Sequence, residues 1–400
     1  MVAQQAAAHG FSVEQDQARS GPVRVLTSFA EAEALWRKFE PEAITTPYQR
    51  FDWVDAFHSA SGGSSPFIVV IEDEAHRPSM ILPLEIARSG GLKVARFVGG
   101  THSNFNFPLL NADSTIGDAL RLSSVLRDAA RAVPGGVDLF RLVQQPERWA
   151  GIANPLAVLP HQPTPSFGHH LTLSADGDAT IERAISASSR KKLRKKERHL
   201  MDRGLLEIVQ ALDRADVERL TDVFLAQKAR RCIELGIANG FAAPEMRAFI
   251  IDAATRGLGE GRPVIELYAL ILNGEAIATF AGAPLNGRFC GMFNSMTHGE
   301  ITRDSPGEIL LVRLIKSLCA RGFTVFDLGV GEAAYKSSLC DGVDALFDTV
   351  IPVSAKGQVA AMAFAFATRA KRAIKQSPLL WPLIERYRRA RGRAAVKAED

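Results

Sequence analysis

The chain has 400 residues, of which 46% are hydrophobic and 23% charged, and its formal net charge is +4. This composition is typical of a globular protein with a sizeable core, and the length predicts two domains. The small net charge argues against a protein that binds nucleic acid over its whole surface. The cysteines and histidines lack metal-ligand spacing, so we expect reduced thiols, a cytoplasmic location and no metal.

Composition and turn signals divide the chain into four parts. Residues 1–22 are polar and rich in Ala and Gln, and we expect them to be disordered. Residues 23–160 and 168–355 are predicted to form two halves, joined by a proline-rich connection. In each half, helices and antiparallel strands precede a loop, a helix and a further strand. A last strand over 346–353 is predicted to close the second half, and residues 356–400 form a basic amphipathic tail.

The clearest strand pattern lies in residues 264–296. Asn273-Gly274 and Asn286-Gly287 separate three apolar runs, which predicts an antiparallel meander because both residues of an Asn-Gly turn tolerate positive φ. A helix follows, and Ser305, Pro306 and Glu308 predict its start with a capping box. The next strand is predicted at 323–328.

A helix between strands 288–296 and 323–328 favours a right-handed crossover and parallel pairing of these strands. A sheet that is antiparallel before this crossover and parallel at it is expected to splay where the two strands end. The resulting cleft would lie beside the helix N-terminus, whose free N–H groups and partial positive charge favour phosphate.

Five side chains near this cleft are candidates for substrate chemistry. Asp327 could act as a base or bind a substrate amine, or it could cap the following turn. Tyr335 could protonate a leaving thiolate or pack on the sheet, and Lys336 could bind an anion or stay solvated. His102 and Asn104 lie in the loop GGTHSNFNF and are candidate substrate residues, or members of a hydrogen-bonded turn.

Two segments are strongly basic. A helix predicted over 179–201 carries the run Arg190–Arg198, which is either a solvated surface or a site for an anionic partner such as a polysaccharide, a carrier protein, a lipid headgroup or tRNA. Nucleic acid is disfavoured because no aromatic residues interleave with the charges. The tail is either a peripheral anchor at the inner membrane face or a helical cap on the second domain.

Four motifs together resemble the CelD-type acetyltransferases of cellulose biosynthesis, and they stand in the sequence as TPYQ (46–49), SSRKKLRKKERHL (188–200), SPGEILL (305–311) and FDLGVGEAAYK (326–336). This family belongs to the GNAT superfamily and is similar to the FemAB-type tandem aminoacyl transferases. The resemblance covers about residues 23–355. It implies an α/β (α+β mixed) fold of tandem GNAT-like halves, each with a mixed, mostly antiparallel central sheet flanked by helices.

The resemblance also implies an activity, namely transfer of an acyl group from acetyl-CoA or another acyl-CoA to an amine or hydroxyl of a polysaccharide or envelope precursor. The pantetheine arm would lie along Phe293, Asn294, Ser295 and Met296. The diphosphate would meet the loop of Arg303, Asp304, Ser305, Gly307 and Glu308. Of the usual GNAT loop pattern this chain has Arg303 and Gly307, and Glu308 would repel a diphosphate unless its carboxylate turns back to cap the helix.

Two other functions remain open from the sequence. The chain could be a FemAB-type transferase that uses aminoacyl-tRNA, in which case the basic helix would bind the acceptor stem. It could also be a catalytically inactive scaffold of polysaccharide synthesis.

Overall fold

The computed structural model describes residues 23–114, 118–377, 379–384, 386–388 and 390. The predicted disorder of residues 1–22 and the end of the tail lie outside this part of the chain. Across the described residues, two mixed sheets flanked by helices make up the fold, which confirms the predicted class of two similar halves. Within the same residues, no helix combines the length and the apolar character needed to span a bilayer.

The N-terminal half begins with one strand and two helices, and a mostly antiparallel sheet follows. They are β1 Val23–Leu26, α1 Phe29–Phe39, α2 Phe51–Ser61, β2 Ser65–Glu72, β3 Pro78–Ser89, β4 Leu92–Phe97, β5 Leu109–Leu110, α3 Ala119–Ala132, β6 Leu139–Pro146, β7 Arg148–Trp149, β8 Ile152–Ala153 and β9 His161–Pro163. Strands β4 and β6, which precede and follow α3 in the sequence, pair in parallel. Strand β3 pairs antiparallel with both β2 and β4.

The C-terminal half repeats this plan. Its elements are β10 Gly168–Thr172, α4 Gly177–Ala184, α5 Ala187–Met201, β11 Leu206–Gln210, α6 Arg214–Leu235, α7 Pro244–Thr255, β12 Glu266–Leu272, β13 Glu275–Leu285, β14 Arg288–Met296, α8 Pro306–Ala320, β15 Val325–Val330, α9 Ala334–Leu339 and β16 Gly342–Asp344. Two further elements follow in the chain, β17 Leu346–Pro352 and α10 Ala355–Gln376. The strands of the second sheet lie in the order β11-β12-β13-β14-β15-β10-β16.

The meander forms as predicted. Asn273 and Gly274 have φ values of 51° and 85°, and Asn286 and Gly287 have φ values of 48° and 74°. Positive φ at both turn residues gives a turn whose twist matches that of the flanking strands. These turns therefore set the antiparallel register of β12, β13 and β14.

Two predictions about chain organisation were wrong, and one of the two alternatives for the tail, a cap on the second domain, is contradicted over α10. The strand at 346–353 exists, but β17 pairs with β6 and β9 of the first sheet and does not close the second half. Helix α10, at the start of the tail, consequently follows β17 and packs on β17 and β6, so it caps the first half. The single helix predicted over 179–201 is two helices, because Ser186 begins α5 by accepting a hydrogen bond from the Ser189 N–H.

Helices α6 and α8 lie on opposite faces of the second sheet, and the alternating side chains of β14 show this. Phe293 packs on Phe224 of α6 at a ring distance of 4.4 Å, and the Ser295 hydroxyl donates to Gln227 of the same helix at 2.7 Å. In contrast, Asn294 points to the opposite face, where its amide contacts α9. Met296, on the same face as Asn294, lies against Gly307 of α8, so α6 and α8 flank opposite faces of β14.

Candidate active site

Strands β14 and β15 separate in the middle of the second sheet. Their parallel pairing runs from Arg288 opposite Val325 to Cys290 opposite Asp327. Beyond that point β14 continues beside β13, whereas β15 continues beside β10. The predicted parallel pairing and splay are therefore present, and the edge of β14 that faces β15 is open from Met292 onward.

A side chain of the first half fills the start of this splay. The Asn104 amide group donates to the Gly291 carbonyl of β14 at 3.0 Å and to the Tyr48 hydroxyl at 3.0 Å. Its carbonyl oxygen accepts from the Val330 N–H of β15 at 3.5 Å. Gly329 permits this approach, since a Cβ atom there would lie 2.7 Å from the Asn104 amide nitrogen. Asn104 thereby satisfies backbone groups of both strands that separation leaves without a strand partner.

A cavity of about 610 Å³ extends from the splay to the start of α8. It reaches both faces of the sheet, because α6 and α8 both contribute to its wall. The predicted cofactor residues Asn294, Ser295, Met296, Ser305, Gly307 and Glu308 line it, as does Tyr335. A second cavity of about 360 Å³ lies between α5, α8 and α9 and shares Glu308, Leu311 and Tyr335 with the first.

The N-terminus of α8 differs from the predicted capping box. Helix α8 begins at Pro306 as expected, but Ser305 has φ 52° and its side chain caps no backbone N–H. Instead the Ser305 hydroxyl accepts from the Lys196 ammonium of α5 at 2.7 Å. Glu308 is exposed and also lines the cavity, and in the described chain the Gly307 N–H has no acceptor. A cation and a free helix N–H thus lie together, an arrangement that favours an anion. The Glu308 carboxylate, which caps no backbone N–H in the described chain, opposes an anion at the same place.

The remaining predicted cofactor residues lie away from the cavity wall. Arg303 is exposed, and Asp304 is buried with its carboxylate 2.9 Å from His199 Nδ1 of α5. Phe293 is buried in the aromatic cluster beneath α6. Together the Asp304–His199 and Ser305–Lys196 contacts hold the basic helix α5 against the start of α8. A role of Phe293, Arg303 and Asp304 in binding a cofactor stays a prediction.

Asp327 is fully buried at the end of the parallel pairing. Its carboxylate accepts from the Arg288 guanidinium at 2.5 and 3.0 Å and from the Gly329 N–H at 2.9 Å. Burial raises the pKa of Asp327, and the neighbouring Arg288 charge opposes that rise. Arg288 also binds Asp344 at 2.9 Å and stacks 4.2 Å from the Trp149 ring of the first half. This geometry ties Asp327 to an ion pair and not to the cavity.

His170 contacts Asp344 of this ion-paired group and makes stability dependent on pH. The hydrogen bond between His170 Nδ1 and Asp344, 2.9 Å long, raises the pKa of His170 above its ordinary value of 6.5. A raised folded-state pKa means that the stabilisation is complete below the unfolded pKa and is lost as pH rises through the folded pKa. We expect the free energy of unfolding to fall as pH rises above about 6.5, and His170→Asn to reduce that slope. Urea titrations of the wild type and the variant from about pH 6 to about pH 7.5, below the range in which Lys336 loses its proton, check this, and equal slopes of the two proteins would contradict it.

Tyr335 and Lys336 lie side by side in α9 but face different surroundings. The Tyr335 hydroxyl lines the cavity and accepts from the Asn294 amide at 3.4 Å, and burial raises the pKa of Tyr335, so the hydroxyl keeps its proton at neutral pH. Lys336 is buried and donates to the Gly329 and Val330 carbonyls at 3.1 and 3.3 Å. Burial lowers the pKa of Lys336 to about 8. Lys336 thus fastens α9 to the end of β15.

His102 lies with Asn104 and Phe293 along a smaller cavity of about 160 Å³ between the halves. Its ring packs on Phe241 at 5.1 Å, and burial lowers the pKa of His102. The structure therefore brings the two predicted substrate residues close to the back of β14. A substrate role for either side chain stays a prediction.

Sequence reasoning missed several residues of the main cavity. Lys228 and Arg231 enter from α6, Thr279 from β13 and Glu332 from the turn before α9. Glu332 lies within the FDLGVGEAAYK segment, and its carboxylate contacts His169 at 3.2 Å, 163 positions away in the sequence. For Lys228 and Arg231, the helical spacing of the apolar residues on α6 indicates a helix, but it does not indicate which sheet edge that helix meets.

Comparisons with known proteins agree with this geometry. Residues 187–337 match the family described as Acetyltransferase (GNAT) domain. The chain carries a GNAT acetyltransferase domain. This domain makes it an acyltransferase, and the matched residues include α5, the splay, α8 and Tyr335. No curated protein is similar to the sequence at a significant level.

Solved structures share the fold at low sequence identity. FemX is 10% identical, with a TM-score of 0.55 over 84% of this chain and 100% of its own. L-PGS from Bacillus licheniformis is 14% identical, with a TM-score of 0.50 over 84% of this chain and 96% of its own. A conserved protein of unknown function from Bacteroides thetaiotaomicron VPI-5482 is 13% identical, with a TM-score of 0.50 over 82% and 99%. At these identities the similarity concerns the fold alone.

Proposed function

We propose that the protein transfers an acyl group from acyl-CoA to an amine or hydroxyl acceptor. The observation that carries the proposal is the cavity that joins the β14–β15 splay to the N-terminus of α8. The free Gly307 N–H and the Lys196 ammonium would hold the diphosphate of CoA. The open edge of β14 would accept the pantetheine amides as a neighbouring strand would.

The chemistry follows from the groups that reach the cavity. The acceptor nitrogen or oxygen attacks the thioester carbonyl, so a C–N or C–O bond forms and the C–S bond breaks. The Tyr335 hydroxyl donates its proton to the leaving thiolate, and CoA departs as the thiol. The carboxylates that line the cavity are those of Glu308 and Glu332, so one of these, and not the ion-paired Asp327, would receive the acceptor proton. That proton returns to Tyr335 before the next cycle.

Isothermal titration with acetyl-CoA tests the donor directly, and a thermal-shift panel of longer acyl-CoAs extends it. We expect saturable one-to-one binding that weakens as salt rises, because the diphosphate contact is electrostatic. Folded protein that binds no member of the panel would overturn the proposal.

Gly307→Ala separates anion binding from stability. A Cβ atom at Gly307 meets no atom closer than Met296 Sδ at 3.7 Å, so the protein itself accommodates the methyl group. The methyl group would nevertheless occupy the space where a diphosphate approaches the N–H. We expect the Kd for acetyl-CoA to rise about ten-fold, as for one lost hydrogen bond of about 1.5 kcal/mol to a charged group. The melting temperature should stay level or rise, since alanine favours helix.

Gly259→Ala is the matched control, because its added Cβ meets nothing within 4 Å and its φ is ordinary. It should change neither the Kd for acetyl-CoA nor the melting temperature by a measurable amount. Equal affinities of the two variants for acetyl-CoA would place the diphosphate elsewhere.

For the acceptor, we propose an amine or hydroxyl on a polysaccharide or envelope precursor, as the CelD-type resemblance implies. The exposed cations of the Arg190–Arg198 run would attract such a molecule if it is anionic. Peripheral contact of the tail with an anionic membrane stays a prediction. Incubation of the protein with radiolabelled acetyl-CoA and a cell-envelope extract, followed by chromatography of the labelled products, would test the acceptor class.

A second candidate donor is aminoacyl-tRNA, as in FemAB-type transferases. The observation that favours it is α5, on which Lys191, Lys192, Arg194, Lys195 and Arg198 are exposed beside the cavity entrance. Charged tRNA should then bind with a steep salt dependence while acetyl-CoA does not bind. The opposite result supports the CoA donor.

A further inference from the structure

The wall that α6 contributes to the cavity carries two cations, Lys228 and Arg231. Arg231 is paired with Glu234 of the same helix at 3.0 Å. Lys228 is partly buried, and across the described residues its ammonium makes no hydrogen bond and no ion pair. Its nearest aromatic contact is Phe241, with the ammonium 5.9 Å from the ring centroid. An ammonium that is partly removed from water without a counter-ion is costly, and burial accordingly lowers its pKa.

These cations lie across the sheet from the proposed diphosphate site. Lys196 and the Gly307 N–H stand at α8, whereas Lys228 stands on α6, which packs on the other face of β14. The carboxylates of the cavity, Glu308 and Glu332, belong to the segments around α8 and α9. The cavity is therefore cationic on the α6 wall and carries its acids on the donor side. An acceptor that approaches the splay from the α6 face would meet the cations.

We propose that Lys228, assisted by Arg231, binds an anionic group of the acceptor, so that the acceptor is an amine or alcohol that also bears a carboxylate or a phosphate. The anion supplies the counter-charge that Lys228 lacks within the protein. The acceptor's nucleophile would then point towards the splay, where the acids of the opposite wall are in reach. This inference rests on the proposed function, because it assigns the α8 end of the cavity to the acyl donor.

Acceptor specificity tests the assignment through matched sugars. Glucosamine, glucosamine 6-phosphate and muramic acid share an amine and differ in carrying no anion, a phosphate or a carboxylate. With acetyl-CoA as donor and thiol release as readout, we expect at least one anionic sugar to exceed glucosamine in kcat/KM by about ten-fold or more. Lys228→Met should raise the KM of that sugar, abolish its advantage and leave the KM for acetyl-CoA unchanged.

Lys38→Met is the control, since Lys38 is exposed on α1, and it should behave as wild type. A preference for glucosamine in the wild type, or an anion preference that survives in Lys228→Met, would overturn the inference. A raised Kd for acetyl-CoA in Lys228→Met would also overturn it, because Lys228 would then belong to the donor site.

A second measurement does not require turnover. Reductive ¹³C-methylation labels the lysines, and the peak that is absent from Lys228→Met identifies Lys228. Titration with inorganic phosphate and with acetate should shift this peak saturably. The anion that binds more tightly shows whether the acceptor carries a phosphate or a carboxylate. No shift with either anion, in protein that still binds acetyl-CoA, overturns the anionic acceptor and leaves the proposed function intact. If the folded protein does not bind acetyl-CoA, the result contradicts the proposed function instead.

Discussion

Replacing Tyr335 by phenylalanine should lower kcat for acyl transfer by about 100-fold or more, while the Kd for acetyl-CoA changes little. The hydroxyl lines the cavity at the splay, contacts Asn294 at 3.4 Å and stays protonated because burial raises the pKa of Tyr335. Its removal takes the proton donor from the leaving thiolate. The ring remains, so the packing of α9 on the sheet should persist. Steady-state kinetics together with titration of acetyl-CoA separate the two quantities.

Tyr268→Phe is the control for this variant. Tyr268 is a buried tyrosine of the same half, but its hydroxyl bonds Glu266 and Arg321, both at 2.5 Å, and it does not line the cavity. We expect this variant to lose stability and to keep its kcat. A Tyr335→Phe enzyme with a kcat within about three-fold of wild type would place the proton donor elsewhere, since positioned acids contribute far more.

Replacing Arg288 by methionine should destabilise the fold by about 3–5 kcal/mol. The guanidinium is the cation for Asp327, which is completely buried, and for Asp344, and it stacks on Trp149 of the other half. Methionine fills much of the same volume but leaves the Asp327 charge uncompensated. Urea denaturation with a two-state fit gives the free energy of unfolding.

The double variant Arg288→Met/Asp327→Asn tests the cause. If the penalty comes from an unpaired buried charge, the double variant should be more stable than Arg288→Met alone, and the two effects should not add. This comparison remains informative even if Arg288→Met fails to fold. Additive losses would show that packing on Trp149, and not the ion pair, dominates. A base role of Asp327 predicts instead that Asp327→Asn abolishes kcat in protein of near-native stability.

Local sequence signals and contacts between distant residues determined different parts of this structure. Asn273-Gly274 and Asn286-Gly287 form their turns as predicted, because the preference for positive φ resides in the turn residues themselves. Pro306 begins α8, and a helix between two strands gives their parallel pairing. These signals suffice for the plan of each half and for a cleft at the splay.

Contacts between distant residues decided the rest. The Ser305 hydroxyl accepts from Lys196, 109 positions away, and that partner displaces the local capping box. Asn104 reaches Gly291 across 187 positions and closes the start of the splay. Strand β17 completes the first sheet because it runs beside β6, although its pattern of apolar residues would suit either sheet.

The sequence by itself therefore determined the meander, the start of α8 and the parallel pairing that opens the splay, since each depends on turn chemistry, the position of Pro306 and strand order within about 50 residues. The family resemblance added the fold of tandem halves. Tertiary structure alone decided that Asp327 is held in an ion pair, that Lys228 enters the cavity unpaired within the described chain and that the N-terminal half supports the splay. The physical reason is that a side chain's charge partner and solvation depend on which segments the topology brings together, and no local pattern records that.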